Sequence, residues 1–473
     1  MKPWRGKKCE RSISQAFNSR GLPSQYRGAR IRAYGRIYLI NLAVEKVVVA
    51  RRSEGSHRSV HRQYVRMRVR RDNEANAPYR RIRAAAECLT PSAPIYILAD
   101  ENRMDQEVII RLSKRISGEG LDAIIAISPE NVTYVSGFVV PSQSLMRWRH
   151  AACVLTTDGR IAMIAIDMEA TTVKAHAGID DLRIYREFTD DPMDKVAEAL
   201  KDLKLDRSQV AIEMDFLPAK DFATLQRNLP GVHWIAADPI FNKARQVKTP
   251  HELALLRALS KLTDKAIGDT LRSAKIGMSE KDLAGRLLTS LFAGGAESYK
   301  LMIIASGERS QFPNVGPTGR KLQRGDLIRM EIFGQKSGYL TGVCRTAVVG
   351  DATAEQKKIW ANLIDCKYLV MDLIKPGASC PEIYRKFLEK FSALGFEPIS
   401  FVAHGIGLHL HEEPYMGRYG NEIVEAGMVG AFEPLVYIPE RFGMQNKDMF
   451  CVTESGCELL SNVTPADGLL RVG

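Results

Sequence analysis

Several features are missing from this sequence, and each absence excludes a class of protein. The eight cysteines form no CxxC pair and show no zinc-type spacing, which argues against a structural zinc module. The sequence contains neither a secretory hydrophobic segment nor a run of about 18 uncharged apolar residues. We therefore expect a cytoplasmic protein with reduced cysteines and no membrane partner.

Acidic residues are scarce at one end of the chain only. Residues 1–104 contain 23 Lys and Arg against 8 Asp and Glu, whereas the rest contains 44 against 47. The net charge of +12 therefore reflects the N-terminal end and does not indicate a nucleic-acid partner for the folded protein. We interpret residues 1–103 as a basic extension that is disordered or follows from a misassigned start. A nucleic-acid-binding arm and an organellar transit segment are the alternatives.

Helix and strand patterns alternate from Met104 onward. A helical pattern to about Gly118 precedes the apolar run AIIAIS, and further strands and helices follow as far as residue 245. This alternation predicts an α/β domain over residues 104–245. A long amphipathic helix that begins in TPHELALLRAL then opens a second domain, which we place at residues 246–473.

A short repeat lies within the second domain. IGMSEKDLAGRLL and PGASCPEIYRKFL begin 100 residues apart, at Ile276 and Pro376. Each contains a serine followed three residues later by an acid, so we expect capping boxes at Ser279 and Ser379. The duplication predicts a pseudo-symmetric sheet that is covered by helices, with a cleft between its halves.

The residues with the clearest chemical character lie near the C-terminus. His404, His409 and His411 fall within FVAHGIGLHLHEEP, where glycines allow a ligand to approach the backbone. Glu433 lies in the apolar segment GMVGAFEP. A carboxylate in such a strand must be paired or bound to a ligand, because an uncompensated buried charge is costly. A structural ion pair is the alternative interpretation.

Three segments together resemble the catalytic half of the creatinase, prolidase and aminopeptidase P family, whose fold is called pita-bread. HGIGLHLHEEP is similar to the family's HGIGLxxHE, GMVGAFEP to its GMxxxxEP, and GYLTGVCRT to its GYxSDxxRT. The resemblance runs from about residue 105 to the C-terminus. It implies an α/β fold with a creatinase-like N-terminal domain and a pita-bread catalytic domain. It also implies a homodimer and a small-molecule or dipeptide-like substrate.

The resemblance further implies a two-metal site made of two Asp, one His and two Glu. His404 and Glu433 match two of these positions, and Glu331 stands at the first Asp position. Gly342 and Lys447 replace the second Asp and the last Glu. We therefore expect no catalytic metal, with Mn²⁺ or another divalent metal as the alternative. We also expect Lys447→Glu combined with Gly342→Asp to recover metal binding.

The resemblance suggests catalytic roles for His404, His411 and Glu433. Either histidine would exchange a proton with water or the leaving nitrogen, since the pKa of histidine lies near neutrality, and Glu433 would orient the substrate. Creatinase's own catalytic histidine corresponds to Asn314 in the PNVGPT segment. Its mechanism therefore cannot simply be transferred.

Four further residues are predicted to contact the substrate: Arg149, Glu331, Arg345 and Lys447. Arg149 resembles the creatinase arginine that grips the substrate carboxylate. Lys447 and Glu331 would form a charge pair in place of the metals.

These observations favour a metal-independent hydrolase that cleaves a C–N bond in a small amide, amidine or dipeptide-like molecule. A metal-dependent Xaa-Pro peptidase is the first alternative. A non-catalytic binding protein and a lyase on the same scaffold are the others.

Overall fold

The computed structural model describes residues 29–33, 36–40, 104–146 and 148–473. Within the predicted extension, the described residues form one antiparallel strand pair, β1 (Ala29–Ala33) and β2 (Arg36–Ile40). The remainder of residues 1–103 lies outside the described residues, so the nature of the extension stays a prediction.

The first domain contains a six-stranded sheet in the order β6-β5-β4-β3-β7-β8. Adjacent strands in this sheet are parallel, except that β4 runs antiparallel to both β3 and β5. The strands are β3 (Ala123–Ala126), β4 (Ala152–Thr156), β5 (Ile161–Ile166), β6 (Asp181–Tyr185), β7 (Gln209–Ile212) and β8 (His233–Ala236). The helices are α1 (Gln106–Gly118), α2 (Pro129–Ser136), α3 (Ala170–His176), α4 (Pro192–Asp202), α5 (Ala219–Asn228) and α6 (Asp238–Gln246).

Apolar cores on both faces explain why the central strands of this sheet are apolar throughout. On one face, α1 buries Val108, Leu112 and Ile116 in the same core as Ile124 of β3. On the other face, α4 shares a core with Ile125 of the same strand. Successive strand residues point to opposite faces, so a strand that is covered on both sides is apolar at every position.

The second domain contains two sheets and a separate hairpin. The strand orders are β19-β11-β10-β9 and β13-β12-β14-β17-β18, and β15 pairs with β16. The strands are β9 (Ser298–Ser306), β10 (Leu327–Lys336), β11 (Tyr339–Val349), β12 (Phe401–Gly405), β13 (Glu412–Gly417), β14 (Val429–Phe432), β15 (Leu435–Ile438), β16 (Phe442–Gln445), β17 (Asp448–Val452), β18 (Cys457–Leu459) and β19 (Leu470–Val472). The helices are α7 (Pro250–Arg272), α8 (Glu280–Ala293), α9 (Ala354–Leu373) and α10 (Cys380–Ala393). Within the described part of the chain, no helix is both long enough and apolar enough to cross a membrane.

The two halves of this domain repeat one arrangement, because a long helix and a shorter helix precede each sheet. Ser279 and Ser379 each stand before the shorter helix and form equivalent β-bridges, to Lys321 and Ile423. The predicted α/β pseudo-symmetric fold is confirmed. The capping box at Ser279 is also confirmed, but the one at Ser379 is wrong, because its hydroxyl caps nothing and the Glu382 carboxylate pairs with Arg385 instead.

Within the described residues, one β-bridge joins the two sheets. The N–H of Cys344 donates to the carbonyl of Lys447 over 3.1 Å, and the N–H of Lys447 donates to the carbonyl of Cys344 over 3.2 Å. Cys344 belongs to β11, and Lys447 lies between β16 and β17. The side chain of Lys447 is therefore held at the line where the two halves join.

A buried carboxylate ties the two domains together. Glu412 of β13 lies 3.2 Å from Arg245 of α6 and 2.9 Å from Lys248 in the following linker. Burial alone would raise the pKa of Glu412, but the two cations outweigh burial and lower its pKa to about 2. The group is therefore a carboxylate at neutral pH, and its charge is compensated.

Glu412→Gln should destabilise the protein, because it leaves Arg245 and Lys248 buried without their anion. Breaking a buried ion pair from one side costs about 3–5 kcal/mol, so we expect a loss of that size in the free energy of unfolding from urea denaturation. A matched control is Arg441→Ala, which breaks an exposed pair with Glu355 and should leave stability close to that of the unchanged protein.

The effect of Glu412→Gln on stability should depend on pH. The folded-state pKa of Glu412 is depressed from 4.5 to about 2, so its contribution is present above the unfolded pKa and is lost as pH falls toward 2. The stability difference between the unchanged protein and Glu412→Gln should shrink over that interval. A constant difference would contradict the described pairing.

Candidate active site

Four charged or ionisable side chains meet at the join of the two sheets, and we call them the charge cluster: Glu331, His404, Glu433 and Lys447. The Lys447 ammonium contacts the Glu433 carboxylate and lies 3.3 Å from Oε1 of Glu331. All four residues are buried. One lysine therefore provides the counter-charge for two carboxylates that would otherwise be very costly to bury.

Lys447 and Glu433 keep their charges at neutral pH. Burial disfavours the ammonium form of Lys447, but Glu433 and Glu331 outweigh burial and raise its pKa above the ordinary value. Burial likewise opposes ionisation of Glu433, yet Lys447 and then His404 hold the pKa of this carboxyl well below its usual range. The contact between Lys447 and Glu433 is therefore an ion pair, whereas the sequence suggested Glu331 as the partner of Lys447.

Two histidines stand side by side at the edge of the cluster. Nδ1 of His404 lies 2.8 Å from the carbonyl of Gly405, which can only accept, so Nδ1 carries a proton. Nε2 of His404 faces Oε1 of Glu433 at 3.7 Å and has no hydrogen-bond partner among the described residues. The ring of His411 stacks on that of His404 with centroids 3.8 Å apart.

Of the two stacked histidines, His411 is exposed and His404 is buried. Although the residue is exposed, partial burial of its ring and the neighbouring His404 lower its pKa to about 4. His411 is therefore neutral at pH 7 and able to accept a proton. Phe401 packs edge-on against both imidazole rings, which fixes their orientation.

Phe333 lies next to the cluster and was not identified from the sequence. Its ring centroid is 4.3 Å from Nζ of Lys447, within the range of a cation–π contact. Phe333 faces Gly342 across the β10–β11 hairpin. A Cβ atom on Gly342 would lie only 2.5 Å from Cε1 of Phe333, so the ring occupies the space where the family would place an aspartate.

Arg329 is a second residue that sequence reasoning missed. It lies on the same face of β10 as Glu331 and is 1% exposed. Its guanidinium donates to Gln445 over 2.9 Å and to the carbonyls of Ser310 and Pro313 over 3.1 and 2.7 Å. Arg329 thereby fixes the loop that leads into Asn314, the position where creatinase has its catalytic histidine.

Arg345 extends from the other face of the sheet than Glu331, although its guanidinium donates to the backbone carbonyl of Lys447 over 2.8 Å. Cys344 faces Glu331 across the hairpin, so the next residue along β11 points to the opposite face of the sheet. The guanidinium of Arg345 lies 3.0 Å from Asp264 and 2.7 Å from Asp448, and all three side chains are buried. Arg345 therefore belongs to a buried ion-pair network, and its predicted contact with the substrate stays a prediction.

Arg149 is held within the N-terminal domain. Its guanidinium binds both carboxylate oxygens of Glu187, at 2.7 and 3.0 Å, and it lines a cavity of about 1120 Å³ beside Trp148 and Tyr185. Its predicted contact with a substrate carboxylate stays a prediction.

Comparison with known proteins identifies the relatives of both domains. Residues 109–247 match the model of the creatinase/prolidase N-terminal domain, and residues 254–454 match that of metallopeptidase family M24. The chain belongs to the creatinase, prolidase and aminopeptidase P family. The predicted family is thus confirmed, together with its pita-bread fold and its character as a family of peptidase-like hydrolases.

Individual relatives agree with this assignment. The Xaa-Pro dipeptidase of Pyrococcus furiosus is 28% identical over 47% of this chain and 65% of its own length. That of Pyrococcus horikoshii is 24% identical over 75% of this chain and 97% of its own length. The X-Pro aminopeptidase of Thermotoga maritima has the same fold, with a TM-score of 0.69 at 22% identity over 77% of this chain and 99% of that one.

The charge cluster does not fit the two metal ions that the family resemblance implies. Gly342 offers no side-chain donor atom, and the Lys447 ammonium already contacts the carboxylates that would bind the metals. Like charges about 4 Å apart repel by about 4 kcal/mol per unit-charge pair in a moderately polar site. His404, His411 and Glu433 do present donor atoms within 4.8 Å of one another, but Glu433 is shared with Lys447.

Lys447→Met should destabilise the protein, because it leaves Glu331 and Glu433 buried without a cation. We expect the free energy of unfolding from urea denaturation to fall by about 3–5 kcal/mol. Adding Glu331→Gln and Glu433→Gln should restore part of the loss, since those changes remove the uncompensated charges. A Lys447→Met protein as stable as the unchanged one would show that the two carboxylates do not depend on this lysine.

Proposed function

We propose that the protein hydrolyses a C–N bond in a small amide, amidine or dipeptide-like substrate without a divalent metal. The observation that carries this proposal is the Lys447 ammonium, which contacts Glu433 and Glu331 beside a neutral, exposed histidine. Lys447 thus supplies a fixed positive charge, and the neighbouring His411 supplies a group that can accept a proton. These are the two requirements for adding water to a carbonyl or amidine carbon.

We assign the role of base to His411. Its exposure allows water and substrate to reach it, and its lowered pKa of about 4 keeps it unprotonated at neutral pH. It would take a proton from the attacking water while the oxygen bonds to the substrate carbon. The C–N bond then breaks, and the same proton is delivered to the leaving nitrogen, which balances the reaction.

Lys447 and Glu433 would act as a fixed electrostatic pair. Because Lys447 stays protonated, its positive charge would stabilise the negative charge that develops when water adds to the substrate carbon. Glu433 is ionised and faces His404 at 3.7 Å, so it can orient a substrate N–H or a cationic amidine group. His404 supports His411 through their stacked rings.

Metal-dependent cleavage of Xaa-Pro dipeptides is the second candidate. It is favoured by the donor atoms of His404, His411 and Glu433, which lie within 4.8 Å of one another, and by the names of the Pyrococcus relatives. Such a site would need the Glu433 carboxylate to leave Lys447.

Removal of metal tests the two candidates directly. We expect background levels of Mn, Co, Fe and Zn by elemental mass spectrometry when the protein is purified without chelators or a His-tag. Turnover of Xaa-Pro dipeptides and of small amides and amidines should be unchanged by EDTA. Stoichiometric metal with EDTA-sensitive cleavage before proline would support the second candidate, and absence of turnover of any such substrate would indicate a binding protein.

His411→Ala and Glu433→Gln should each reduce kcat by at least about 100-fold, since general acid–base catalysis contributes about 10²–10⁴-fold. A matched control is His233→Ala, because His233 is exposed on β8 in the other domain and should leave kcat unchanged. Circular dichroism verifies that each variant is folded. Near-normal turnover in folded His411→Ala would remove His411 from the mechanism.

A further inference from the structure

In the hairpin of β10 and β11, the large side chain of Phe333 lies opposite Gly342, which has no side chain, beside the charge cluster. Phe333 is 1% exposed, and its ring covers Gly342 so closely that a Cβ atom there would lie 2.5, 2.9 and 3.0 Å from three ring carbons. Such distances are too short for any side chain. Gly342 can therefore gain a side chain only if the ring of Phe333 moves.

The same ring supports the ammonium of Lys447. Nζ lies 4.3 Å from the ring centroid, and it also contacts the carboxylates of Glu331 and Glu433. An aromatic face attracts a cation most strongly where water is excluded, and Lys447 is 1% exposed. Phe333 therefore makes two contacts: its ring fills the space over Gly342, and the face of the ring contacts the ammonium of Lys447.

We propose that Phe333, Gly342 and Lys447 form one interdependent unit that gives the site an internal ammonium and closes it to a divalent metal. Phe333 is the positioning residue of this unit. The catalytic role of this ammonium rests on the proposed function. The inference also changes one expectation from the sequence. Lys447→Glu with Gly342→Asp is not sufficient to recover metal binding, because the new carboxylate meets the ring of Phe333.

The test compares metal binding in four forms of the full chain: unchanged, Phe333→Ala, Lys447→Glu with Gly342→Asp, and the same pair with Phe333→Ala. Each is incubated with Mn²⁺ and desalted, and its metal content is measured by elemental mass spectrometry. We expect stoichiometric Mn²⁺ only in the triple variant, accompanied by a rise in its thermal denaturation temperature when Mn²⁺ is added. In the triple variant the volume lost at Phe333 is partly refilled by the new carboxylate at position 342.

Two results would overturn the inference. Stoichiometric Mn²⁺ in the Lys447→Glu, Gly342→Asp pair would show that Phe333 is no barrier, and absence of Mn²⁺ from a folded triple variant would show that these residues do not control metal binding. If the triple variant fails to fold, Phe333→Leu replaces Phe333→Ala with a smaller loss of volume.

Metal content also separates this inference from the proposed function. An unchanged protein that binds no metal and turns over no substrate would contradict the proposed function, while the four-way comparison would still decide the role of Phe333. An unchanged protein that binds Mn²⁺ stoichiometrically would contradict both.

Discussion

The pairing of one buried ammonium with two buried carboxylates is the constraint on which the site depends. Glu331 and Glu433 come from opposite halves of the catalytic domain, and neither could be buried in ionised form without a nearby cation. Lys447 provides that cation from within the chain. Its attachment to the backbone means that the counter-charge cannot dissociate, and that its position is fixed by the strands on either side. The aromatic ring beneath it, the glycine opposite that ring and the histidines at the edge are all arranged around this one charge.

Much of the fold follows from local sequence signals. Alternating helix and strand patterns predicted both α/β domains, and the repeat at Ile276 and Pro376 predicted the pseudo-symmetry. Ser279 forms the capping box that its spacing indicates. Ser379 has the same spacing but does not, because nearby basic residues attract the acid three positions later. The motif specifies where the helix begins, whereas the partner of the acid depends on the residues of the next turn.

The site was predictable to the extent that sequence motifs describe it. The motifs predicted that Glu331, His404, Glu433 and Lys447 lie in one site. In the structure each of these four side chains lies within 3.7 Å of at least one other member. The motif did not reveal the ion pairs of Arg345, because a motif does not say to which face of a strand a residue points. Strand alternation from Glu331, counted across the hairpin, would have placed Arg345 on the opposite face.

Phe333 shows both what sequence could have revealed and what it could not. β10 and β11 are joined by Ser337 and Gly338, both with positive φ, which is the geometry of a tight two-residue hairpin. Counting outward from this turn pairs Phe333 with Gly342, so their opposition could have been read from the sequence. The direction of the ring toward Lys447 depends on packing between two sheets that are distant in sequence.

The bridge between Cys344 and Lys447 has a consequence for how the chain acquires its structure. Glu331 belongs to the first half of the catalytic domain, whereas His404, Glu433 and Lys447 belong to the second. Contacts between residues so far apart in sequence form late, because closing a long loop costs entropy before it yields any contact. Until the halves meet, Glu331 has no buried cation to pair with, and water must solvate it. Assembly of the site and union of the two halves are therefore a single cooperative event, and a chain that has joined its halves correctly already has its cation in place.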